Sequence, residues 1–157
     1  MCMLEFDNDL DKFKAIKEAC LQYLIRREHS QQELLKKVSA KGFSRFDIDL
    51  VITELAEQGL QCDARFAESY ARSRVHRGFG PLRIKAELQQ RGASEYSFDM
   101  AVEDIAGSWQ EILVQVYEKK YGTDTLVIDI KEQLKRSRFL QQRGFSTEMI
   151  RELLKSL

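Results

Sequence analysis

The residues of this chain best suited to chemistry are arginines. Between Asp63 and Gly92, in DARFAESYARSRVHRGFGPLRIKAELQQRG, seven Arg/Lys stand against three Asp/Glu, in a chain whose 25 bases and 25 acids cancel. Arg65, Arg72, Arg74, Arg77 and Arg83 belong to this set, as does Lys85. A guanidinium is a planar, permanently charged fork that can meet a carboxylate or phosphate through two hydrogen bonds at once. Several such forks on rigid helices suit recognition of an anionic partner better than turnover of a small molecule.

Catalytic constellations are sparse. His29 and His76 have no second ligand at i+3 or i+4, so no metal is expected. No nucleophile stands near His29, whose place before Ser30 reads as an inter-helix turn. Gly78-Phe79-Gly80-Pro81 has the glycines of a phosphate loop but not the preceding strand, spacing or Lys-Ser/Thr that would make it one. Glu103 and Asp104 are adjacent, so on a helix they point apart and form no general acid/base pair. The expectation is a protein with no catalytic centre, cofactor or metal.

The three cysteines, Cys2, Cys20 and Cys62, form no C-x-x-C pair, which reads as reduced thiols. The acidic start MCMLEFDNDLDKF is unlike a secretory signal. No apolar run approaches the ~18 residues of a membrane span. The expected location is the cytoplasm.

The elements that must position the arginines are helical. Phe13, Ile16, Cys20 and Tyr23/Leu24 follow the 3–4 spacing of one buried face, and so do Ile48, Val51/Ile52 and Leu55. Phe66, Tyr70 and Ala71, then Trp109, Ile112/Leu113 and Val116/Tyr117, repeat the pattern. Only LVIDI at 126–130 resembles a strand, and it has no partner. Ser30-Gln-Gln-Glu33 and Ser44-Arg-Phe-Asp47 read as capping boxes. Pro81 suits a first helical position, where its missing N–H is no loss. Gly42, Gly92 and Gly144 each follow Lys or Arg and read as left-handed helix ends.

Those three glycines expose a repeat. Lys41-Gly-Phe-Ser, Arg91-Gly-Ala-Ser and Arg143-Gly-Phe-Ser are equivalent, with Val38, Leu88 and Leu140 four residues before the glycines and Ile48, Phe98 and Ile150 six after. A helical period near 50 residues predicts modules too small to bury their faces alone. The expected fold is all-α, three tandem three-helix modules at 14–60, 61–106 and 107–157 forming an elongated helical repeat array. Residues 1–13 read as a flexible acidic arm. The apolar positions are consumed by these bundles, so a monomer is expected.

Charge follows the repeat. Residues 14–45 hold eight bases and three acids, and 46–63 hold five acids and no base. Residues 64–92 hold seven bases and two acids, and 93–113 hold five acids and no base. Clustered charge often serves only solvation, but alternating blocks also suit a repetitive, charged partner. Direct DNA binding by helix-turn-helix-like modules is the alternative, because the first two helices of modules one and two are basic. The acidic third helix, where a recognition helix would sit, counts against it: Asp47, Asp49, Glu54 and Glu57 would be repelled from a groove.

Motifs across the chain carry a resemblance. Tyr23-Leu24-x-Arg26-Arg27-Glu28-His29-Ser30-x-x-Glu33-Leu34 is followed by Lys41-Gly42-Phe43 and by Asp63-x-Arg65-Phe66-Ala67-x-x-Tyr70-x-Arg72-x-Arg74. Gly78-x-Gly80-Pro81-x-Arg83-Ile84-x-x-Glu87-Leu88-x-x-Arg91-Gly92 completes the set. Together they resemble the RecX family of recombinase regulators over essentially the whole chain, the third module in pattern more than in motif. The resemblance implies a protein of tandem three-helix repeats that lodges in the groove of the RecA–DNA filament. It also implies suppression of ATP hydrolysis, DNA pairing and strand exchange, with no cofactor or catalysis of its own.

The expected contact residues toward RecA or DNA are Arg65, Arg72, Arg74, Arg77, Arg83 and Lys85 in the second module, then Arg26, Arg27, Lys36 and Lys37 in the first. Arg65 and Arg83 have a competing internal role, pairing with Asp63 or Glu87. Phe66, Tyr70, Ile84 and Leu88 are expected in the core, and Gly80-Pro81 is expected to set an inter-helix angle.

Overall fold

A computed structural model describes residues 2–96, 98, 107–123 and 128–157, with side chains from residue 8 onward. Eight helices are present among them: α1 (Cys2–Arg26), α2 (Gln31–Ser39), α3 (Arg45–Glu57), α4 (Asp63–His76), α5 (Pro81–Gln90), α6 (Trp109–Tyr121), α7 (Ile130–Arg143) and α8 (Thr147–Ser156). No strand occurs among the described residues. The strand-like run 126–130 lies partly outside them. Its described end does something else, because the Asp129 side chain caps α7 by accepting the Glu132 amide at 2.7 Å. Glu103 and Asp104 lie outside the described residues, as does most of 93–106 beyond Tyr96.

The contacts divide the chain into two compact units, 1–67 with 91–96, and 68–90 with 97–157. In the first, α1, α2 and α3 pack on one another around Ile16, Cys20, Leu34, Val38, Ile48 and Leu55, all fully buried. The Cys20 thiol is one of these core groups, and burial pushes its pKa up to about 11. In the second unit α8 packs against both α6 and α7. Leu113, Leu140, Phe145, Ile150 and Leu153 are buried there. The repeat read from the sequence survives as burial: Val38, Leu88 and Leu140 are each essentially inaccessible.

Helix ends follow local chemistry. Ser30 accepts the Glu33 amide at 3.1 Å, and Ser44 accepts the Asp47 amide at 3.2 Å. The capping boxes are not reciprocal, however. Asp47 accepts a hydrogen bond from the Ser44 hydroxyl at 2.7 Å, and Glu33 turns to Arg27 and Arg91. A nearby cation or hydroxyl outbids a backbone amide for an ionised carboxylate. Pro81 opens α5, and Gly144 ends α7 at φ 101°, a left-handed conformation that a side chain would disfavour.

The segment expected as an arm differs. α1 runs continuously from Cys2 through the predicted boundary at residue 13. Lys12 pairs with Asp47 at 3.2 Å on α3, and Phe13 packs on the core of α1–α3. Acidic composition suggested solvation, but a helix can solvate one face while its other face packs.

Candidate partner-binding surface

The arginines of the second module separate into two groups. Arg74 and Arg83 are built into the fold around Glu87. The Arg74 Nε donates to Glu87 Oε2 at 2.6 Å and its Nη2 to Oε1, while Arg83 Nε donates to Oε1 at 3.0 Å. The Tyr70 hydroxyl adds a hydrogen bond at 2.8 Å. The Arg74 and Glu87 side chains are only 16% and 15% exposed. Burial by itself would raise the Glu87 carboxyl, but the hydrogen bonds from Arg74, Arg83 and Tyr70 outweigh it and hold the pKa at about 2.

Phe79 completes this cluster. The guanidinium carbons of Arg74, Arg83 and Arg143 lie 4.0, 4.3 and 4.9 Å from its ring centre. Like charges converge because the ring's negative face and Glu87 offset them. The backbone closes the joint: Gly80 N–H donates to Arg143 O at 2.7 Å and Leu82 N–H to Gly144 O at 3.0 Å. Arg83 Nη1 reaches Gln142 O at 3.1 Å, and Arg143 Nη1 reaches Arg77 O at 2.8 Å. The Gly-x-Gly-Pro-x-Arg motif is thus a clasp between the start of α5 and the end of α7.

The other motif is also a clasp. The turn 27–30 gathers Arg27 on Glu33 at 3.0 Å, Arg65 on Glu28 at 2.9 Å and Arg91 on Glu33 at 3.4 Å. Arg65 also donates to Gly59 O at 2.8 Å. Asp63, suggested as a partner for Arg65, instead accepts the Gln31 amide and the Gln61 side-chain amide. His29 is buried, with Nδ1 3.0 Å from Arg27 O and Nε2 2.9 Å from Lys37 Nζ. An ammonium only donates, so Nε2 accepts and Nδ1 carries the proton. Burial, with the nearby charges of Arg27 and Lys37, lowers the His29 pKa.

Of the ten predicted contact residues, six are therefore engaged. Arg27, Arg65, Arg74 and Arg83 hold the joints, Lys37 holds His29, and Arg72 pairs with Glu68 at 3.1 Å one turn away. Arg74 departs from the expectation of a solvent-ready anchor, and Arg83 takes the internal pairing with Glu87 that was its competing role: a guanidinium beside a half-buried carboxylate satisfies it before any partner arrives. Arg26, Lys36, Arg77 and Lys85 remain, each exposed and without a carboxylate partner among the described residues. From the sequence, Glu33 is placed only at a cap and Arg143 only before a module glycine, and neither is assigned to a joint.

Phe66, Ile84 and Leu88 are buried as expected, whereas Tyr70 is half-buried with its hydroxyl on Glu87. On α3, Asp49, Glu54 and Glu57 are exposed, an arrangement unfavourable to insertion in a DNA groove. No group of three His, Cys, Asp or Glu placed to hold a metal occurs among the described residues. No helix among them is long and apolar enough to cross a membrane.

Comparison with known proteins agrees with this architecture. Residues 17–55 match the family model of the first three-helix domain of RecX, 63–101 the second and 109–154 the third. The regulatory protein RecX of Pseudomonas tolaasii is 39% identical over 145 residues, covering 92% of this chain and 93% of that relative. That of Halorhodospira halophila is 39% identical over 138 residues, covering 88% and 85%. The crystal structure of RecX from Lactobacillus salivarius superposes with a TM-score of 0.74 at 25% identity over 94% of this chain and 97% of that one. A further crystal structure of a regulatory protein RecX shares the fold, with a TM-score of 0.75 at 19% identity over 98% and 76%.

Proposed function

The chain belongs to the RecX family of regulatory proteins, and on that premise we propose that it binds the RecA–DNA filament and restrains ATP hydrolysis and strand exchange there. The supporting observation is the division of labour among its cations. Arg27, Arg65, Arg74 and Arg83 are occupied in the joints, while Arg26, Lys36, Arg77 and Lys85 stand in solvent on the first and second modules with no carboxylate partner among the described residues. Exposed, uncompensated cations steer association with an anionic surface and cost little to desolvate at a rim.

Tandem modules contact successive protomers of a polymer as one ligand, so the second contact gains from the effective concentration set by the first. Binding that favours one inter-subunit arrangement slows any cycle that must leave it, in proportion to the difference in affinity between arrangements. No catalytic group on this chain is required.

The test is RecA ATP hydrolysis on single-stranded DNA with increasing amounts of the protein. Inhibition well below one chain per RecA is the expected result. An unchanged rate, together with tight and steeply salt-dependent binding to bare DNA, would replace this proposal with the nucleic-acid-binding alternative.

A further inference from the structure

The second unit contains a cleft of about 400 Å³ beside the end of α4. Its floor is aliphatic, formed by Val75, Ile112 and Val116. Its rim carries His76, Arg77, Lys119, Lys120 and Arg143, and no carboxylate among the described residues lines it. An adjoining cleft along α7 differs in holding its own acids, Asp129 and Glu132.

The rim cations have no carboxylate counter-ion among the described residues. Lys120 Nζ lies 3.9 Å from the Phe139 ring centre, and Arg143 is fixed by Phe79, Phe139 and the Arg77 carbonyl. Glu87 is spent on Arg74 and Arg83, and Glu132 on Arg136. Aromatic faces position a cation without neutralising it, so the rim keeps its positive potential.

From this we infer that the cleft is a docking site for an acidic peptide segment carrying one aliphatic side chain, the aliphatic group on the floor and carboxylates on the rim. Single-stranded nucleic acid fits less well, because it needs free aromatic faces for its bases. Here Phe139 meets Tyr121 edge to face and is covered by Lys120, and Tyr121 is covered by Arg136 at 4.4 Å. An aliphatic floor matches an aliphatic side chain, and a forked rim matches carboxylates. The inference deepens the proposal above and rests on its premise that the partner is a protein.

The test titrates the full chain with three probes while following backbone amide shifts. The probes are the acetylated peptide Asp-Glu-Leu-Asp-Glu, the same peptide with Gly for Leu, and an oligothymidylate of similar length. The leucine peptide is expected to saturate with shifts at Gly78, Gln115 and Val116, and the glycine peptide to bind at least about 10-fold more weakly. The exposed pair Arg77→Glu with Lys119→Glu is expected to weaken the leucine peptide at least about 10-fold while its far-ultraviolet spectrum is unchanged. Absence of saturable shifts at the cleft, or tighter binding of the oligothymidylate at the same amides, overturns the inference. RecA assays on the same samples separate the two proposals. Peptide binding without RecA inhibition supports the cleft and removes the filament proposal; inhibition with a silent cleft does the reverse.

Discussion

Gly80 and Gly144 meet backbone to backbone. A β-carbon built on Gly80 would lie 2.5 Å from the Gly144 carbonyl oxygen and 2.8 Å from the Phe145 amide nitrogen. A β-carbon on Gly144 would lie 2.7 Å from the Arg83 amide nitrogen and collide with the Arg83 β-carbon. Neither obstacle is a flexible side-chain end, so neither can swing away.

Gly80→Ala is accordingly expected to destabilise the protein by about 2 kcal/mol through overpacking at a rigid joint. Urea unfolding, compared with alanine at Gly42, where a β-carbon meets nothing within 4 Å, checks this. Gly42 is left-handed at φ 95° and Gly80 is not, so the Gly42 variant reports backbone strain alone, and a cost at Gly80 no greater than that at Gly42 would refute the clasp.

Glu87→Gln leaves Arg74 charged and only 16% exposed, without its counter-ion. Loss of about 3 kcal/mol is expected at neutral pH. Because the folded pKa of about 2 lies below the ordinary 4.5, the carboxylate's contribution is fully present above pH 4.5. It is lost as pH falls from there toward 2. The urea midpoints of wild type and variant should differ at pH 6 and draw together as pH falls toward 2.

His29 titrates in a different window. Its folded pKa is lowered from 6.5, so the unfolded chain takes up the proton first. The His29 contribution is therefore complete above pH 6.5 and declines as pH falls below it. The melting temperature should drop between pH 7.5 and 5.0 in wild type, with a shallower drop in His29→Gln. Parallel pH profiles would mean that the ring is not held neutral.

Charge reversal distinguishes joint from surface. Arg77→Glu with Lys85→Glu changes exposed side chains without carboxylate partners among the described residues, and should leave helical content intact while weakening RecA inhibition at least about 10-fold. Arg74→Glu should lower stability itself, since it sets a second carboxylate against Glu87. Undiminished inhibition by the first variant would remove those two cations from the interface.

Much of this protein was legible in its sequence because the informative interactions are local. Apolar spacing depends on helical geometry within a few turns, which is why Ile16, Cys20, Ile48 and Leu55 could be assigned to the core. Cap chemistry is equally local, and Ser30, Ser44 and Pro81 stand where their types predict. The glycine spacing announced three helical modules, because each must end the same kind of helix in the same conformation.

What each arginine does was decided only by the tertiary structure. Arg74 lies in the last turn of α4 and Arg77 just past its end, yet one is enclosed against Glu87 and the other stands in solvent. A guanidinium reaches several ångströms in any direction, so its partner depends on which carboxylate the packed helices bring near. Glu28 reaches Arg65 across 37 residues, and Gln142 reaches Arg83 across 59. Composition counts those charges, but only folding determines which of them are already satisfied and which remain for a partner.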